Sequence, residues 1–79
     1  MKSEKELFEL AKRYATMEID FEEGLRLSEF EIVELKYNME KIRNVLLENN
    51  YDVDKFLKYV RLYKEMSVGE YLEFVKTLE

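Results

Sequence analysis

Apolar and polar positions along this 79-residue chain recur with a helical period over most of its length. The longest run is Ser28 to Asn49, in which Ile32, Leu35, Met39, Ile42 and Leu46 follow one another at alternating spacings of three and four. That spacing lines them along one face of a helix. Ser28 is a good N-cap, since its hydroxyl can accept from a free backbone N–H of the first turn, and Glu31 completes a capping box. Leu27 is placed to reach Ile32 as a hydrophobic staple.

Three further helices are read in the same way. Ser3 and Glu6 form a capping box ahead of Leu7, Leu10, Ala11, Tyr14, Met17 and Phe21. Asn49 and Asn50 tolerate the left-handed backbone that ends helices, and Asp52 caps a third helix carrying Val53, Phe56, Leu57, Val60 and Tyr63. Tyr51 and Phe56 flank that cap as a staple. Ser67 and Glu70 box a fourth helix, stapled by Met66 and Tyr71, that buries Val68, Tyr71, Leu72, Val75 and Leu78. The expected architecture is all-α, a single helical domain over residues 1–79. It is a compact bundle of four helices spanning about 4–22, 29–49, 53–65 and 68–78, with the longest helix central. Short connections make consecutive helices antiparallel or angled neighbours.

The end of the first helix is open to more than one reading. Gly24 suits the left-handed position after a helix, with Leu25 folding back on Ile19. Against this, Asp20, Glu22 and Glu23 would lie at the negative end of the helix dipole. The alternation of Met17, Ile19 and Phe21 with charged residues, followed by Leu25 and Leu27, is also the pattern of a short hairpin.

Composition narrows the chemistry. The chain has no Cys and no His, which removes disulfides, thiolate and imidazole metal ligands and the commonest general base, so no enzyme is expected and no cofactor is implied. No apolar run is long enough to cross a bilayer, and the N-terminal segment carries charges where a secretory signal needs an apolar core, so a cytoplasmic protein with no membrane association is expected. The net charge of −5 disfavours nucleic acid as a partner.

That charge is local. Between Glu18 and Glu34 the carboxylates Glu18, Asp20, Glu22, Glu23, Glu29, Glu31 and Glu34 stand against Arg26 alone. Glu29 and Glu31 belong in a first helical turn, where the dipole favours them, and a solvated face accounts for much of the rest. A docking patch for a basic surface is the functional alternative. A calcium site lacks the regular ligand spacing, and a di-iron bundle lacks His.

The candidate interface comes from second apolar stripes. Phe30, Val33 and Tyr37 lie opposite the main seam of the longest helix, and Tyr59, Leu62 and Met66 repeat the idea on the third helix. Either the bundle covers both faces internally, or one stripe meets a protein partner, itself included as a homodimer, with Glu29 and Glu34 beside it. The expected function is a small, acidic, non-enzymatic interaction or adaptor module. The alternative is a dimeric nucleic-acid-binding regulator using Lys55, Lys58, Arg61 and Lys64, although their three-residue spacing spirals these cations around the helix.

Overall fold

The computed structural model describes residues 4–23 and 27–78. Four helices follow in order: α1 (Glu4–Glu22), α2 (Glu29–Glu48), α3 (Val53–Glu65) and α4 (Val68–Thr77). The all-α four-helix architecture is the one the periodicity predicts, and the caps explain the boundaries. Ser28 accepts from the Glu31 backbone N–H while the Glu31 carboxylate takes the Ser28 N–H, and Ser67 with Glu70 repeats the arrangement. Asp52 accepts from the Lys55 N–H at the start of α3. At the end of α2, Asn50 adopts φ 54°. The Tyr51 N–H then reaches the Leu46 carbonyl at 2.9 Å and the Asn50 N–H reaches Leu47 at 3.3 Å, which together make a Schellman ending.

Residues 17–22 continue α1, and among the described residues there is no strand, so the hairpin pattern is not realised. Its acidic end is supported from outside the helix, because Lys64 of α3 lies 3.3 Å from Glu18 and 3.8 Å from Glu22. The Ser3 cap, the Gly24 ending with Leu25, and Arg26 lie outside the described residues.

Antiparallel neighbours follow from the side-chain pairing. Arg43 of α2 donates to the Tyr14 hydroxyl of α1, and Lys36 lies over Phe21, so α1 and α2 form a hairpin. Tyr63 meets Tyr71 and Tyr59 meets Phe74, so α3 and α4 form a second. Lys55 beside Glu4 and Lys64 beside Glu18 set α1 and α3 running the same way.

The core sits on α1. Leu7, Ala11, Tyr14 and Ala15 are buried against Ile42 and Leu46 of α2 and Phe56 and Val60 of α3. Ala11 and Ala15 lack bulk, which lets α3 approach closely, and the Tyr14 ring meets Phe56 edge-on at 5.4 Å. A second cluster forms around Phe8, whose centroid lies 5.6 Å from Tyr59, 6.1 Å from Tyr71 and 4.9 Å from Phe74. It ties α1, α3 and α4 together.

Several expectations about faces are corrected here. The longest helix, α2, is not the hub. Both α2 and α3 pack on α1, and α2 buries only Ile42 and Leu46. On α3 the inward face is Phe56, Tyr59, Val60 and Tyr63, while Val53 and Leu57 are exposed. On α4 it is Tyr71, Phe74, Val75 and Leu78, while Val68 and Leu72 face solvent. The physical reason is the same in both helices. Phe8 recruits Tyr59 and Phe74, and turning the helices toward it gains ring contacts that the aliphatic face could not make.

The molecule is flat, 38 × 32 × 17 Å, with a radius of gyration of 13.4 Å. An average domain of this length would have about 11.6 Å, so the compact bundle is flatter than average. The exposed surface of 6009 Å² likewise exceeds the roughly 5100 Å² of a typical monomer of this mass.

Candidate functional site

Flatness bears directly on α2. At 100° per residue, Ile32, Leu35, Met39, Ile42 and Leu46 centre on the side facing α1, and Phe30, Val33 and Tyr37 centre about 170° away. Phe30 is 76% exposed, Val33 65% and Tyr37 60%. Glu29 and Glu34 are exposed beside them. The bundle therefore does not cover this stripe.

Two residues outside the sequence-predicted stripe extend it. Leu47, two heptads beyond Val33, is 67% exposed. Lys41 lies one turn beyond Tyr37 and holds its ammonium 5.5 Å from the centroid of that ring. Following the stripe two heptads further along the helix would have found Leu47, whereas the contact of Lys41 with Tyr37 needed coordinates.

The stripe on α3 is placed differently. Tyr59 is half-buried, its ring packed against Phe8 and Phe74 and its hydroxyl donating to Glu4 at 2.7 Å. Met66 is half-buried at the corner between α3 and α4, in an open groove it shares with Ile19, Val68 and Tyr71. Leu62 remains exposed. Of the two stripes, the one on α2 is the continuous apolar surface.

The cations of α3 are partly engaged within the chain. Lys55 is paired with Glu4, and Lys64 with Glu18 and Glu22, while Lys58 and Arg61 face solvent. The perturbed ionisable groups belong to surface latches between helices. Lys55 donates to Glu4 and, with Tyr59, holds that carboxyl below its ordinary range. Tyr51 donates to Glu6 at 3.0 Å, and this bond pushes the phenol up. Lys12 donates to the Tyr71 hydroxyl at 2.8 Å, which raises the ammonium.

An open groove of about 370 Å³ separates the end of α1 from α2, lined by Phe21, Lys36, Met39, Glu40 and Arg43. Its two cations are already engaged, Lys36 over the Phe21 ring and Arg43 on the Tyr14 hydroxyl at 2.6 Å. Among the described residues no polar or charged side chain is buried, no three acidic side chains converge in a way that could hold a metal ion, and no helix is long and apolar enough to cross a membrane.

The arrangement leaves an apolar stripe flanked by carboxylates open to solvent. Compared with models of protein families, with curated proteins and with solved structures, the chain matches none.

Proposed function

We propose that this chain is a small, acidic, non-enzymatic docking module of the adaptor or regulatory type, which presents the outer face of α2 to another protein and forms a homodimer. A cytoplasmic location belongs to the same proposal. The observation that carries it is the exposure of Phe30, Val33 and Tyr37 on the side of α2 turned away from α1. A stripe of two aromatics and a branched aliphatic is a solubility hazard on a free monomer and is typical of an interface core. The flanking Glu29 and Glu34 supply a charged rim that selects partners without contributing much affinity.

The test compares the wild type with Val33→Asp. The wild type is expected to self-associate in sedimentation at micromolar concentration, or to retain a stoichiometric partner on capture from its host. Val33→Asp should lose that association while changing the unfolding free energy by no more than about 0.5 kcal/mol, because the side chain touches no core residue. Association that Val33→Asp leaves unchanged would overturn the proposal. No observation favours the nucleic-acid reading, since two of the four cations of α3 are committed to carboxylates of α1.

A further inference from the structure

We infer that the occupant of the α2 face is a second copy of this chain, docked with the two α2 helices antiparallel. This inference rests on the docking reading above and adds the direction and the register of the homodimer.

Charge is distributed unevenly along α2. Residues 29–35 carry Glu29, Glu31 and Glu34 with no cation, and residues 36–48 carry Lys36, Lys41 and Arg43 against Glu40 and Glu48. A helix that is strongly acidic at its start and slightly basic beyond is complementary to itself only when reversed. Read as heptads, Phe30, Val33, Tyr37, Glu40, Asn44 and Leu47 fall on the contact seam, with Glu34, Lys41 and Glu48 on one flank and Glu29, Lys36 and Arg43 on the other. A parallel pair would set Glu29 beside the partner's Glu34 and Lys36 beside the partner's Lys41, both repulsive, against one favourable pair, Arg43 with the partner's Glu48.

Reversed, the register that seats Phe30 on the partner's Leu47 also puts Glu34 beside the partner's Lys41. The same register brings Val33 to the partner's Asn44, and the Tyr37 hydroxyl within reach of the partner's Glu40. Two-fold symmetry makes each contact twice. Lys36 and Arg43, the like charges that this register brings to the far flank, are held toward α1 by Phe21 and Tyr14.

The helix dipoles also oppose one another in the antiparallel pair.

Because the chain has no cysteine, single-cysteine variants report contacts cleanly. Phe30→Cys and Leu47→Cys are mixed in equal amounts and oxidised, with Val68→Cys as an exposed control on α4. Random pairing already favours the mixed 30–47 disulfide over each homodisulfide, so the mixed product should exceed that statistical share and every product of the control. Glu34→Lys and Lys41→Glu should each raise the dimer dissociation constant roughly tenfold, and the double exchange should restore it, while circular dichroism reports an unchanged fold. A dominant 30–30 disulfide would overturn the antiparallel pairing and leave the docking reading standing. A strict monomer at millimolar concentration would overturn the second copy as occupant and, with it, the homodimer part of the docking reading. The docking reading itself would then be decided by whether Val33→Asp abolishes partner capture.

Discussion

Glu4 shows how one residue joins distant parts of the chain. It lies in the first turn of α1, where the helix dipole favours a carboxylate, and it accepts from Lys55 and from the Tyr59 hydroxyl. The hydrogen bond from Lys55, followed by that from Tyr59, lowers the Glu4 carboxyl below its ordinary 4.5. In return Glu4 raises Lys55 above 10.5. Burial, then Glu4, raises Tyr59 above 10.0. A carboxyl lowered by folding contributes stability above its unfolded value and loses it as pH falls through the folded value. A raised ammonium or phenol contributes below its unfolded value and loses its contribution as pH rises through the folded value. The latch is therefore complete near neutral pH and weakens on both flanks. Glu4→Gln should lower the thermal midpoint at neutral pH, and the gap to wild type should close as pH falls below 4.5. Thermal unfolding of both proteins from acid to neutral pH checks this, and a gap independent of pH would contradict it.

At the scale of the element, caps decide where each helix begins and ends. The most demanding position is Asn50, because its positive φ costs an ordinary L-residue about 1 kcal/mol or more, while Asn tolerates it and Gly adopts it freely. Its conformation turns the chain so that Tyr51 reaches back toward Leu46 and packs on the core. Asn50→Ala should destabilise the protein by about 1 kcal/mol, equivalent to a fall in midpoint of roughly 4–8 °C, whereas Asn50→Gly should be close to neutral. Urea or thermal unfolding of the two variants distinguishes them, and equal losses would show that the left-handed backbone is not the cause. The asymmetry of α2 belongs to this scale as well. One face is held by α1 and the other is bare, so a helix that would be only marginal in isolation is stabilised from one side.

For the whole molecule, Phe8 is the joint. It is 1% exposed and touches aromatic rings of both α3 and α4, so its loss loosens the hairpin that those helices form from α1. Phe8→Ala should cost about 3–5 kcal/mol, a large part of the stability of a domain this small. Urea unfolding measures it, and a cost below about 1 kcal/mol would show that the aromatic cluster is not what holds α4. The flat shape has the same origin. Because α2 and α3 both pack on α1 and the aromatic cluster draws in α4, the helices spread around one rod instead of closing around a central axis. That spreading leaves the outer face of α2 without a neighbour.

Local signals in the sequence determined the helices and most of their boundaries, because capping and hydrophobic period act within a few residues. Ser28 with Glu31, Asp52, and Ser67 with Glu70 were all legible for that reason. The stripe Phe30, Val33 and Tyr37 was legible as a second face too. Whether the bundle would cover it was not, since that depends on where α1, α3 and α4 lie. Tertiary structure alone decided that Tyr59 turns inward, that Phe74 outranks Leu72, and that α1 and not α2 is the hub. The reason in the first two cases is Phe8, an aromatic one residue off the expected α1 face, whose partners stand 51 to 66 positions away in the chain, and in the third it is the face of Leu7, Ala11, Tyr14 and Ala15, which seats both α2 and α3. Contacts that distant leave no period in the sequence, and the rotation of a helix by less than a quarter turn is enough to exchange an aliphatic face for an aromatic one.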